Sequence, residues 1–249
     1  MRRYCVGFSV WNKVDMIAWL IDGIVRNFTK DECEVVFFFD ACTDGSEDAF
    51  NSIRPWWLDQ RGYKTTAYRS DIAVGENGSH AVIIEHFRNT AADALIVFQD
   101  DMHLNAPVRE PVEAIFTAFG SRTGVIGGRD GFFPGFTDMA SAPHSMSRKS
   151  RKLAVNEWAE KPQVNSGPII YPKEVVAACG GPSLDFKAFY IWEDYSLRAH
   201  KAGFRNAVLG VDIDHVKFGR VTATTMYTDD IAGHDAAVYA GRHPRVRAK

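Results

Sequence analysis

The sequence predicts an α/β protein with a mostly parallel central sheet and helices on both faces. Three observations predict it. Apolar runs that read as strands alternate with stretches of helical periodicity through the first hundred residues. Two of those runs, "CEVVFFF" and "ALIVFQ", are apolar without a break, as strands covered on both faces are. Each run stops at aspartate, Asp40 after the first and the pair Asp100 and Asp101 after the second.

In chain order, "YCVGFSV" reads as the first strand. Asn12 is expected to cap a helix over "KVDMIAWLIDGIVRNF", where Val14, Ile17, Ile21, Ile24, Val25 and Phe28 recur at helical spacing. "CEVVFFF" is the second strand, followed by the turn-rich "ACTDGS" and a helix over "EDAFNSIRPWWLDQ". A strand near "KTTAYR", a helix near "SHAVIIEHFRNT" and the strand "ALIVFQ" continue the alternation, which favours parallel pairing. Beyond the helix "VREPVEAIFTAF" and the strand "GVIGG", residues 129–162 are rich in Gly, Pro, Ser and charge, a functional loop or a disordered one. A strand "SGPIIY", a helix "PKEVVAACGG", the segment "FYIWEDYSLRAHKAG" and a strand "NAVLGVDI" leading to His215 follow. One domain is expected over 1–249: residues 1–105 bind the ligand, 106–220 build a second half-site, and 221–249 form a mobile tail ending in "GRHPRVRAK".

Composition excludes several classes. Lysine and arginine number 29 against 31 acids, a formal charge of -2, so no basic field points to nucleic acid or an anionic membrane. The four cysteines, Cys5, Cys33, Cys42 and Cys179, form no C-x-x-C pair and fit free thiols of a reducing compartment. The amino terminus is a poor signal peptide, and no run of about 18 apolar residues occurs, so a cytoplasmic chain without an integral membrane segment is expected. Neither a G-x-x-x-x-G-K-[ST] loop nor a G-x-G-x-x-G after a strand is present.

In open parallel sheets ligands bind beyond the carboxyl ends of the strands, where Asp40 and the Asp100/Asp101 pair would share one crevice. Two carboxylates about 5 Å apart repel by about 3 kcal/mol at an effective dielectric near 20, so adjacent acids at a strand end suit a hard cation such as Mg²⁺ or Mn²⁺. The alternative is that one aspartate caps a turn and the other is solvated. In "WEDYS", Glu193 and Asp194 point about 100° apart on a helix, so one of them would face a substrate hydroxyl as general base. Equally, both acids suit a helix start, and Asp194 has Arg198 at i+4. Trp192 and Tyr195 share a helix face and would stack on a ligand ring or belong to the core.

"FFFDACTDGSEDAF", "FRNTAADALIVFQDDMHL", "NSGPIIYPKEVVAACGG" and "WEDYSLRAHKAGF" together resemble, in order and spacing, the family-2-like glycosyltransferases of the GT-A (Rossmann-like) fold, over about residues 4–216. In place of that family's Asp-x-Asp motif stands Gln99-Asp100-Asp101, similar to the Glu-Asp-Asp variant of N-acetylglucosaminyltransferase I-like enzymes. The resemblance implies a hexosyl- or N-acetylhexosaminyltransferase that uses Mn²⁺ or Mg²⁺. The donor would be a UDP- or GDP-linked sugar, the acceptor a glycan or other hydroxyl, and the anomeric centre would be inverted, with retention as the alternative. By the same resemblance, Asp101 and His215 would hold the metal, and Ser9, Asp40, Arg88 and Asp100 would contact the donor. Asp40 would face the base, and Asp100 the ribose or a metal-bound water. Arg88 would meet phosphate, although Glu85 is within its reach on the same helix. Asp194 would be the base, with Glu193 orienting the acceptor.

Lys217 and Arg220, and the basic stretch with Arg148, Lys149, Arg151 and Lys152, would close over a diphosphate or remain solvated. Two other classes stay open: a protein that binds a nucleotide-sugar without turnover, and a sugar nucleotidyltransferase, whose usual Gly-rich loop after the first strand is replaced here by "VWNKVDM".

Overall fold

The structure, a computed structural model, describes residues 2–128, 153–165, 167–187, 190–215 and 229–243. Strands β1 (Tyr4–Val10), β2 (Cys33–Asp40), β3 (Lys64–Ser70) and β4 (Ala94–Gln99) alternate with helices α1 (Ile17–Asn27), α2 (Ser46–Trp57) and α3 (Gly75–Arg88). A short strand β5 (Met102–Leu104), helix α4 (Arg109–Phe119) and strands β6 (Thr123–Gly128), β7 (Trp158–Glu160) and β8 (Ile169–Pro172) follow. Helices α5 (Lys173–Cys179) and α6 (Ile191–Lys201), strands β9 (Arg205–Leu209) and β10 (Ile213–His215), and helix α7 (Asp229–Arg242) complete the described elements.

Eight strands form one sheet in the order β3-β2-β1-β4-β8-β6-β9-β7, and β5 pairs with β10 in a small separate sheet. The β3-β2-β1-β4 half is parallel, as the alternating sequence predicts. The other half differs: β8 runs antiparallel between β4 and β6, and β7 antiparallel to β9. β7 is three residues inside the stretch expected to be a loop, too short for any periodicity to show.

Burial explains the unbroken apolar runs. All eight residues of β2 are buried because helices cover both faces. On one face Phe8 stacks between Phe37 and Phe98, with ring centroids 4.9 and 5.4 Å away, and Phe50 of α2 packs on Phe37 at 4.5 Å. Phe50 is fully buried, and its truncation to alanine would cost about 3 kcal/mol or more. The opposite face carries Val36, Phe38, Leu95 and Val97 against Ile83, Ile84 and Phe87 of α3 and Ile191 and Tyr195 of α6.

Two local expectations are corrected. Asn12 does not cap α1; it has a left-handed φ of 52° and its Oδ1 accepts from the Thr43 amide at 2.8 Å, while the chain enters α1 through a 3-10 turn at Val14–Met16. The tail expected to be mobile contains α7, whose buried Asp235 and Tyr239, with buried His243 just beyond, face the body of the protein. Tyr239 stacks on Tyr190 at 5.0 Å, and its hydroxyl accepts from Gln163 Nε2 at 2.7 Å.

Candidate functional site at the carboxyl edge of the sheet

Strand register assembles the crevice. β1 aligns with β4 so that Ser9 lies beside Gln99, and with β2 so that Val10 lies beside Phe39. Ser9, Asp40, Asp100 and Asp101 therefore occupy one edge of the sheet, although sixty positions separate the two aspartate groups. Asp100 Oδ2 accepts from the Trp11 amide at 2.8 Å, which fixes it against the end of β1. Burial pushes the Asp100 carboxyl up to about 7; the Trp11 bond opposes this, Asp101 adds to it and Lys13 opposes it.

Asp40 is buried, and its two oxygens accept from the amides of Val74 and Gly75, each at 2.8 Å. It thereby holds the start of α3 at the end of β2, where a carboxylate also complements the helix dipole. Asp44 is a turn residue: it accepts from the Val14 amide at 2.9 Å and from the Ser46 amide at 3.0 Å.

Anchoring α3 on Asp40 brings in an acid that the sequence reading missed. Glu76, in the first turn of α3, accepts from Gln99 Nε2 at 2.9 Å. Burial pushes its carboxyl up to about 8, with Gln99 opposing the rise and Asp100 and Asp101 adding to it. The periodic signal of this helix begins near Ser79, which leaves Glu76 outside the expected helix; the glycines on either side, Gly75 and Gly78, weaken the helical pattern. One turn further, His80 lies 3.9 Å from Glu76, and burial lowers its imidazole to about 4, so it is neutral.

β5 pairs with β10 so that Met102 lies opposite His215, which sets the backbone of His215 beside that of Asp101. His103, on the same strand, serves packing: it stacks on Trp19 at 4.4 Å and its Nδ1 lies 2.9 Å from Asn105 Oδ1. Lys217 and Arg220 lie outside the described residues, as do Arg148, Lys149, Arg151 and Lys152.

Arg88 is not brought to this edge. α3 starts at Asp40 and runs 14 residues, about 21 Å, down the sheet, so Arg88 sits at the far end, paired with Glu85 at 3.1 Å. That placement corrects its expected phosphate contact in favour of the local ion pair.

The acid pair of α6 is also placed differently from expectation. Glu193 is 2% exposed and Asp194 fully buried. Asp194 Oδ2 accepts from Arg198 Nε at 2.9 Å, and Oδ1 from His243 Nε2 at 3.0 Å and Arg242 Nη1 at 3.5 Å. Lys201 Nζ donates to His243 Nδ1 at 2.8 Å, which fixes the neutral tautomer that carries its hydrogen on Nε2. Arg198 also donates to the carbonyls of Cys179 and Gly181, at 2.8 and 3.0 Å. The i+4 pairing with Arg198 is thus present, and α7 encloses the carboxylate. Tyr195 belongs to the core: fully buried, its hydroxyl donates to the Gly180 carbonyl at 2.8 Å, which leaves no ring face for a sugar. Trp192 is 7% exposed and meets His80 edge-on at 5.9 Å, one helical turn from Glu76, as part of the wall behind the crevice.

Burial is the main cause of the raised Asp100 and Glu76 carboxyls, and neighbouring acids add to it. Oxygen donors at this edge have the chemistry a hard divalent cation takes, and such an ion would offset the added charge. No helix among the described residues is long and apolar enough to cross a membrane.

No protein-family profile matches the chain, and no curated protein matches it in sequence. Solved structures do resemble it. A mannosyltransferase from Pyrobaculum calidifontis, in complex with GDP-Man and Mn²⁺, superposes at a TM-score of 0.60 with 18% identity over 85% of this chain and 55% of its own. S. aureus TarS 1–349 in complex with UDP-GlcNAc gives 0.66 with 15% identity over 93% of this chain and 64% of its own. GalNAc-T7 with UDP, GalNAc and Mn²⁺ gives 0.66 with 11% identity over 98% of this chain and 48% of its own. The chain therefore spans about half to two thirds of the length of these neighbours. A parallel half-sheet with an acidic carboxyl edge, continued by a mixed half with the small β5–β10 pair, and these likenesses to glycosyltransferase structures together give this chain the GT-A fold.

Proposed function

We propose that this chain is a metal-dependent glycosyltransferase that moves a hexosyl or N-acetylhexosaminyl group from a UDP- or GDP-linked sugar to a hydroxyl of a glycan or other acceptor. The observation that carries this reading is the placing of Asp100, Asp101 and Glu76 at the carboxyl edge of the sheet, where burial and the neighbouring acids raise the Asp100 and Glu76 carboxyls. The neighbouring structures hold GDP-Man with Mn²⁺, UDP-GlcNAc, or UDP with Mn²⁺, which supports both the donor class and the metal.

In this reading Asp101 and His215 hold Mn²⁺ or Mg²⁺, and the cation offsets the charge of the departing diphosphate. Asp100, fixed by the Trp11 amide, orients the ribose or a metal-bound water, and Ser9 borders the nucleotide. Asp40 has spent one acceptor site on each oxygen, yet each oxygen keeps another for an N–H of the base. Lys217 and Arg220, outside the described residues, would supply positive charge to the phosphates. Glu193 and Asp194 orient the acceptor side. For Asp194 to take a proton from the acceptor, as an inverting mechanism requires, it must first leave Arg198, Arg242 and His243; in the enclosed state it positions α6 against α7.

That enclosure favours a second reading, a nucleotide-sugar-binding protein without turnover. Incubation of the protein with UDP- and GDP-sugars, Mn²⁺ and simple glycan acceptors separates the two. Metal-dependent release of free nucleoside diphosphate by the wild type, and none by Asp101→Ala, is the expected result. Tight donor binding with no diphosphate released supports the binder, and pyrophosphate formed from a nucleoside triphosphate supports the nucleotidyltransferase.

A further inference from the structure

A second group of ligating side chains lies at the opposite end of α3, away from the acidic crevice. Cys5 is the second residue of β1 and Glu34 the second of β2, and strand register pairs them directly. Both are buried, and Cys5 belongs to the apolar cluster beneath α3. His86, in the last turn of α3, descends onto them. The Cys5 sulfur, a Glu34 carboxylate oxygen and a ring nitrogen of His86 lie within 4.8 Å of one another.

Each ligand is held in a way that suits a metal. The His86 Nδ1 lies 3.0 Å from the Tyr68 hydroxyl, an outer partner that fixes the orientation of the ring. The other nitrogen, Nε2, is buried and has no hydrogen-bond partner among the described residues. Leaving such a nitrogen dry is costly unless something binds it. Glu34 Oε2 meets Lys64 Nζ at 2.8 Å, but the Lys64 side chain is 70% exposed and can turn into water when a stronger cation arrives. The path past Lys64 and Tyr68, which is exposed as well, also gives an ion its way in.

The donor chemistry differs from that of the crevice. Thiolate, imidazole and carboxylate are the ligands of zinc, in a tetrahedral arrangement whose fourth position takes water. Bonds of about 2.0–2.3 Å place tetrahedral ligand atoms about 3.5 Å apart, so the side chains need to close by about 1 Å.

We infer that Cys5, Glu34 and His86 form a site for a thiophilic divalent cation of the zinc class, which fastens α3 to the amino ends of β1 and β2. Binding replaces the Cys5 S–H bond with a metal–sulfur bond, and the thiol proton passes to solvent.

Cobalt(II) is the probe, added to the full chain under reducing conditions, because thiolate ligation produces an intense near-ultraviolet charge-transfer absorption that oxygen ligands do not. One Co²⁺ per chain with this band, displaced by Zn²⁺, is expected. The band should vanish in Cys5→Ser and lose at least about tenfold in affinity in His86→Gln. It should be unchanged in Cys42→Ser, Cys179→Ser and Asp101→Ala, which separates this site from the two half-buried thiols and from the crevice. No band in the wild type, or a band that persists in Cys5→Ser, overturns the inference. Should Cys5→Ser fail to fold, the half-buried His86→Gln decides: unaltered affinity there overturns it equally.

Discussion

The carboxyl-edge crevice and the α6–α7 interface both bury acids, and they treat them in opposite ways. In the crevice burial pushes the Glu76 and Asp100 carboxyls up to about 8 and about 7, and the neighbouring acids add to the rise. At the interface Asp194 is surrounded by Arg198, Arg242 and His243. A carboxylate whose charge is answered inside the fold stabilises the fold; a group whose charges repel is arranged for something that arrives from outside. Acidic residues in a cleft are therefore not interchangeable candidates for function, and the sign of their surroundings separates them.

The largest effect that would break this contrast is at Asp194. Asp194→Ala removes a fully buried carboxylate and leaves the half-buried Arg198 and Arg242 and the buried His243 without their acceptor; it should cost about 3 kcal/mol, read from urea unfolding. If stability survives while donor turnover disappears, Asp194 belongs with the working acids and the contrast fails. Asp101→Ala should do the reverse. The native fold persists, while the Mn²⁺-dependent stabilisation by UDP or GDP, about 2.7 kcal/mol at a hundredfold excess over Kd, is lost in a thermal-shift assay.

A smaller effect follows from pH. Asp100 and Glu76 release their protons near 4 in the unfolded chain but only near 7 and 8 in the folded one, so between those limits the folded state holds more protons. Their contribution to stability is present below about pH 4 and is lost as pH rises through 7 and 8. Mn²⁺ competes with the same protons, so its affinity should increase on going from pH 6 to pH 8, by about tenfold for each proton displaced per pH unit. Calorimetric titrations at these two pH values check the direction, and Glu76→Gln should flatten the slope. Arg88→Ala should matter least: its ion pair with Glu85 is exposed, so stability should change by no more than about 0.5 kcal/mol and donor affinity not at all.

Much of the parallel half was legible because buried strands and amphipathic helices advertise themselves by period, and β1 and β2 lie where the apolar runs do. In the mixed half the strands at "GVIGG", "SGPIIY" and "NAVLGVDI" were legible, but the three-residue β7 was not, and runs this short gave no sign that β7 and β8 turn antiparallel. At the site, adjacency at strand ends pointed to Asp40 and the Asp100/Asp101 pair. Glu76 stayed hidden because its place depends on where α3 starts, which is set by a hydrogen bond from Gly75 to Asp40 some 35 positions away. The surroundings of Asp194 were half legible: Arg198 is visible at i+4, whereas His243 and Arg242 come from a helix in a stretch that read as tail.

Gly7, in the middle of β1, has a consequence for how this protein could be altered. A methyl group on it would meet Ile83 Cγ2 of α3 at 2.6 Å, a branched carbon with no rotamer to retreat to. The helix rests on the strand with nothing in between, and it carries Glu76 at one end and His86 at the other. A single added carbon at Gly7 would act as a wedge under the middle of a rigid rod and tip both ends together. For anyone redesigning this protein, that position is a tuning screw that reaches two distant chemistries without touching either.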